Sequence, residues 1–207
     1  MSPLDSPMEL IVTGFGPFGD HRYNPSTDAA RALADTHRID AHFLPVTYTT
    51  AAQFATAHLQ ASSGPLLFIH LGLATTRDEI CFERLAHNER DATPDQLEER
   101  HQSLLPDSQP VADEPHHRRS TGLDLHSLVD SFNGRRPTDL PVARVSDHCG
   151  SYVCNALYYH SLRACEQASP RQTDALFIHI PHLTPPRARR LGRMLGSVFT
   201  TAPAPVR

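Results

Sequence analysis

The chain contains no lysine: all 19 basic residues among its 207 are arginines. Schiff-base chemistry, a P-loop lysine and a Ser–Lys dyad are therefore excluded. A GxSxG elbow and a GxGxxG phosphate loop are also missing, which removes the commonest serine-hydrolase and dinucleotide signatures. No apolar run approaches the roughly 18–20 residues of a membrane span. Cysteine is sparse, with Cys81, Cys149, Cys154 and Cys165 forming no CxxC pair and no Cys/His zinc spacing. A net charge of -4 offers no basic surface for nucleic acid or an anionic membrane. MSPLDSPMEL has neither the basic nor the apolar region of a secretory signal. These absences lead us to expect a cytoplasmic protein with free thiols.

What is present is an ordinary globular balance, 39% hydrophobic and 20% charged. Buried strands are expected at 8–14, 41–48, 64–72, 140–147 and 174–181, as short apolar runs closed by Gly or Pro. Helices are expected from an N-cap at Ser26 to about Asp35, then over 50–61, 122–132 and 151–166. A last helix is expected from Pro185–Pro186, with Leu191, Met194, Leu195, Val198 and Phe199 on one stripe. Residues 90–121 are polar and without period, and read as an irregular excursion. Residues 201–207 read as a tail. The alternation predicts one α/β domain over 1–207, an α/β/α sandwich on a mainly parallel twisted sheet, with reactive groups at the carboxyl ends of the strands.

The stretch SYVCNALYYHSL (151–162) raises a chemical question. If Ser151 caps a helix, Cys154 lies in its first turn, where free N–H groups and the positive dipole end favour a thiolate and an oxyanion. The alternative is a small buried hydrophobe. A nucleophilic cysteine needs a base. His179 ends the buried strand FIH just before Pro181, with His182, His148 and His87 as rivals. Glu83 stands among apolar neighbours, where an unpaired carboxylate is costly. It would either orient the imidazole or pair with Arg77 or Arg84. Cys81 and Glu83 would share one face of a strand.

Together these segments resemble the pyroglutamyl peptidase I family of cysteine peptidases. VTGFGPFG with NPS (12–26) is similar to its N-terminal signature. LGLATTR with FERLAHN (71–88) is similar to its glycine-rich turn and ERxAxN segment. SDHCGSYVCNALYY (146–159) is similar to its nucleophile segment, and FIHIP (177–181) to its histidine motif. The resemblance implies an α/β/α fold, often assembled as a homo-oligomer, a dimer or tetramer. It implies that Cys154 is the nucleophile, His179 the base and Glu83 the acidic member. Phe15 and Phe18 would line the lactam pocket, with Asn24 a polar contact to the ring and Leu73 near the substrate. The implied reaction removes N-terminal pyroglutamate from small peptides through a thioester, with no metal or organic cofactor.

The chain departs from the family at several places. The turn usually written GQAGGR reads Gly72-Leu73-Ala74-Thr75-Thr76-Arg77, which places threonines where glycine is the rule. Thr93 stands where the family carries an arginine, Arg90 being nearest. His148 and Cys149 precede Gly150, and His148 adds a titratable group near the thiol. These changes leave two further readings open: a divergent hydrolase of another acyl group, or a non-catalytic homologue that keeps the fold.

Overall fold

The computed structural model describes residues 8–101, 108–168 and 172–200; the tail at 201–207 lies outside them. The chain runs β1 (Glu9–Phe15), α1 (Pro25–His37), β2 (Ala41–Leu44), α2 (Tyr48–Ala61), β3 (Leu66–Leu73), β4 (Ile80–Glu83), β5 (Leu85–His87) and β6 (Arg90–Asp91). It continues through α3 (Gln96–His101), β7 (Ser108–Gln109), β8 (Arg118–Ser120), α4 (Leu125–Arg135), β9 (Ala143–Ser146), α5 (Val153–Gln167), β10 (Thr173–Ile180) and α6 (Pro185–Thr200).

Six strands form the central sheet in the order β2-β1-β3-β10-β4-β9. β2, β1, β3 and β10 are parallel; β4 lies antiparallel to β10, and β9 runs parallel to β4. β3 (LLFIHLGL) and β10 (TDALFIHI) are buried along their whole length, as central strands covered on both faces must be. One face carries α1, α4 and α6, whose core includes Leu33, Phe132, Leu191, Leu195 and Val198. The other carries α2 and α5, with Phe54, Leu157, Tyr158 and Phe177. Burying each such side chain contributes about 1.5–3 kcal/mol.

Several expected boundaries shift. The strand expected at 41–48 ends at Leu44, because Thr47 accepts from the Thr50 N–H and caps α2. α1 is capped by Asn24 and not by Ser26: the Asn24 side chain accepts from Ser26 N, and Pro25 fills the first helical position. Ser26 instead accepts from the Phe15 N–H at 2.9 Å, stitching the helix start to the end of β1. The described residues of the excursion at 90–121 are more ordered than their composition suggests. β5 pairs with β8 and β6 with β7, and Asn88 holds it through both carbonyl and amide, to Ala112 N and Ala112 O. Within it, Glu114 takes ion pairs from Arg119 and Arg163 and the hydroxyl of Tyr159.

α1 and α6 meet through small residues. A Cβ on Gly192 would stand 2.1 Å from the Ala29 carbonyl oxygen. In Gly192→Ala, helix propensity favours alanine by about 1 kcal/mol, but overpacking a rigid contact costs about 1–3 kcal/mol. We expect a net loss, read as a lower urea midpoint at unchanged slope; a higher midpoint would show that the two helices can separate freely.

Candidate active site

The sheet's carboxyl ends open into a cleft of about 260 Å³. The chain order reverses beside β1, since β2 flanks it on one side and β3 on the other, and ligands favour such a switch point. Phe15 from the end of β1, Leu73 from the end of β3, and Cys154 and His179 all line the cleft, with Phe18 and Asn24. Six of the seven residues singled out in the sequence thus share one wall. The seventh, Glu83, is fully buried behind it. His179 Nδ1 donates to Glu83 Oε1 at 2.8 Å.

Sheet register explains this convergence. His179 stands opposite Gly72 on β3 and Cys81 on β4, while Phe177 stands opposite Glu83. Alternation then puts Gly72, Cys81, Glu83, Phe177 and His179 on the face that receives α5. A Cβ on Gly72 would lie 2.6 Å from the Phe177 ring and 3.0 Å from Cys154 Sγ. Only glycine lets the thiol sit this close to the sheet.

Cys154 is the second residue of α5, but Ser151 is not the cap. Tyr152 takes that position and makes no side-chain capping bond, so the cap residue's side chain does not occupy the first-turn N–H groups. Ser151 instead donates its hydroxyl to Asp91 Oδ2 at 2.7 Å, and its carbonyl accepts from Asp91 N at 3.0 Å. Gly150 adopts φ +76°, a left-handed turn that delivers the chain into the helix. Asn155 fixes the helix from its other side: its Oδ1 accepts from His87 N, and its Nδ2 donates to the His87 and Glu89 carbonyls.

The resting thiol is not the thiolate that the helix position led us to expect. Burial, followed by the negative charge of Glu83, pushes Cys154 up to about 12. Burial also lowers His179, opposed by its hydrogen bond to Glu83. Both shifts favour the thiol and the neutral imidazole over the ion pair. Desolvation outweighs the helix dipole because the dipole contributes only fractions of a kcal/mol to about 2 kcal/mol.

Both readings of Glu83 hold at once. Its Oε1 accepts from His179 and from Arg77 Nη1, whereas Arg84 pairs with Asp147. The altered turn accommodates its threonines: Arg77 N closes onto the Ala74 carbonyl at 3.3 Å, and neither Thr75 nor Thr76 has positive φ. Thr93 donates its N–H to Asp91 and does not line the cleft. Arg90 pairs with Glu98 and lies over the Tyr48 ring at 3.6 Å, and it too is outside the cleft lining. His148 accepts from Gly150 N and lies tilted beside His87, outside the cleft lining. His182 stands 5.4 Å from His21.

The sequence reading missed Tyr152, Val46, His21 and Arg77 in the lining. The excursion also closes the rim. Gln96 accepts from Val46 N and donates to the Pro17 carbonyl, and Tyr152 donates its hydroxyl to Pro94 O. A polar segment without period carries no signal for such long-range contacts. Asn24 is more structural than expected: Nδ2 donates to the Gly16 carbonyl, and Oδ1 accepts from Ser26 N and Oγ.

A half-buried cysteine at a helix N-terminus, beside a carboxylate-oriented histidine at a sheet's carboxyl edge, defines a cysteine-hydrolase class of site. The comparisons narrow the class. A family model described as pyroglutamyl peptidase matches residues 8–194, and the chain belongs to that family of cysteine peptidases. It is similar to proteins named pyrrolidone-carboxylate peptidase. One from Thermococcus onnurineus is 32% identical, covering 85% of this chain and 84% of the relative. One from Yersinia pestis is 34% identical, covering 84% and 78%. The pyroglutamyl peptidase I structure from Bacillus amyloliquefaciens superposes with TM-score 0.75 over 96% of this chain and 98% of its own, at 21% identity, a likeness of fold.

Proposed function

We propose that this protein hydrolyses the amide bond after an N-terminal pyroglutamyl residue, with Cys154 as nucleophile, His179 as acid and base, and Glu83 as the residue that orients the imidazole. The observation that carries the reading is the convergence of Cys154 and a Glu83-bound His179 on an apolar cleft. His179 Nδ1–H points at Glu83, so Nε2 is the basic nitrogen. It takes the Cys154 proton as sulfur attacks the carbonyl carbon. The oxyanion is held by the uncapped first-turn N–H groups of α5. Collapse returns the proton to the leaving amine and leaves a pyroglutamyl thioester. Water, deprotonated by the same nitrogen, hydrolyses it.

Specificity follows from the lining. Pyroglutamate has no α-ammonium group, so Phe15, Phe18, Val46 and Leu73 need not desolvate a cation. Asn24 lines the same cleft, though three hydrogen bonds already engage its side chain. Leu73 contributes apolar surface. The four free cysteines suit a reducing, cytoplasmic setting. No helix among the described residues is long and apolar enough to cross a membrane.

The test is hydrolysis of fluorogenic pyroglutamyl and prolyl amides at equal concentration. Turnover of the first only, by at least about 100-fold, is expected, because a prolyl amide presents a charged ring nitrogen and lacks the lactam carbonyl. A folded protein that hydrolyses another acyl amide, or neither, would overturn this reading.

A further inference from the structure

Arg77 binds the same oxygen of the Glu83 carboxylate as the histidine does. It leaves the β3–β4 turn, donates Nη1 to Glu83 Oε1 and Nη2 to the His148 carbonyl, and keeps only 20% of its side chain exposed. Glu83 is fully buried, and its other oxygen, Oε2, has no hydrogen-bond partner among the described residues. One oxygen thus carries both His179 and Arg77. The second arm of Arg77 holds the turn that leads through Gly150 to Cys154. A single side chain therefore spans the carboxylate and the nucleophile's approach.

We infer that Arg77 is a positioning residue that sets the proton affinity of the Cys154–His179 pair by sharing Glu83 Oε1 with the imidazole and so weakening the carboxylate's pull on it. The inference rests on the cysteine-peptidase reading of this site. A buried carboxylate with one hydrogen bond is a strong proton acceptor. With Glu83 facing His179 alone, the imidazole would keep its proton to higher pH. A protonated imidazole cannot accept the thiol proton. The guanidinium opposes this, since a nearby positive charge lowers the proton affinity of every group it faces. It acts in that direction on both His179 and Cys154.

The other groups around His179 do not supply this charge. Cys81 and Glu83 face it from β4, and Cys154 stands across the cleft on α5 with Cys149 in the turn before it. Tyr158 of α5 donates its hydroxyl to the Glu83 backbone carbonyl at 2.7 Å. Burial raises both Cys81 and Cys149. Among the described residues, Arg77 is thus the cation in contact with Glu83.

The test compares wild type, Arg77→Gln and Arg77→Lys by two pH profiles: kcat/KM on a pyroglutamyl amide, and alkylation of Cys154 by iodoacetamide, followed by peptide mapping. Alkylation needs no turnover, so it reads Arg77 even if the substrate assignment fails. The acid limb of both profiles should move up by about one pH unit in Arg77→Gln, lowering reactivity roughly tenfold at a pH on that limb and converging toward wild type above it. Arg77→Lys keeps the charge and should keep the limb near its wild-type position. A folded Arg77→Gln protein with an unmoved limb overturns the inference and makes Arg77 a structural brace. If Arg77→Gln does not fold, Arg77→Lys decides: a limb at the wild-type pH supports the charge requirement, and a displaced limb refutes it.

Discussion

Replacing Cys154 with serine will leave a folded protein whose turnover of a pyroglutamyl amide is lower by about 10⁴-fold or more. Serine fits where the sulfur now lies against Gly72, so the fold has no reason to change. The hydroxyl, however, is a far weaker acid than a thiol and offers His179 a proton that imidazole cannot efficiently remove. Thermal unfolding and steady-state kinetics on the same preparation separate the two effects. Cys149→Ser is the control, because Cys149 lines the same cleft but is almost wholly buried, and it should retain activity within a few-fold. Activity retained in Cys154→Ser and lost in Cys149→Ser would transfer the nucleophile to the neighbouring thiol.

The second large effect is on stability. His70 lies in the middle of β3, fully buried. The Ser161 hydroxyl donates to the Leu157 carbonyl at 2.8 Å, so its oxygen accepts from His70 Nε2 at 3.0 Å. His70 Nδ1 then accepts from the Thr13 hydroxyl at 2.8 Å. The chain of donors fixes a neutral tautomer with no place for a second proton. Burial accordingly pushes His70 down to about 3. Unfolding restores a group that titrates near pH 6.5. The unfolded chain therefore binds more protons between about pH 3 and pH 6.5, and stability falls as pH falls through that window; above it the contribution is complete.

A single such histidine costs about 1.4 kcal/mol per pH unit below 6.5, or roughly 5 kcal/mol by pH 3. That is comparable to the whole stability of an average domain. His42, His160 and His179 are also lowered, burial first, so they add to the same slope. Urea unfolding from pH 7 to pH 5 reads it before most carboxylates titrate. His70→Gln, which can both donate and accept, should flatten the dependence by about one proton without changing its sign. A wild-type free energy flat across that range would contradict the buried neutral histidine.

The sequence alone determined the strands that bear the site. GPLLFIHLG and DALFIHIP are apolar runs with clear stops, and local periodicity is enough to read such runs. It also carried Cys154, His179 and Glu83, because four ordered motifs place them together in a way that no single residue does. Helix caps were less legible. Ser26 and Ser151 have the right chemistry for a cap, but their hydroxyls go to Phe15 and Asp91, a choice made by residues distant in sequence. The same holds for the strands inside 83–120, which are too short to show a period and exist because partners elsewhere in the chain pair with them.

Only the tertiary structure decided the electrostatics. Position at a helix N-terminus argued for a thiolate; burial against β3 and the Glu83 charge made a thiol. Sequence left Glu83 a choice between histidine and arginine, and packing gave it both on one oxygen. Proximity at contact distance is set by sheet register and side-chain packing, which join residues such as Arg77, Glu83, His148 and His179 across two strands and two turns. Desolvation likewise depends on everything that covers a group. Neither quantity is a property of any local stretch of chain.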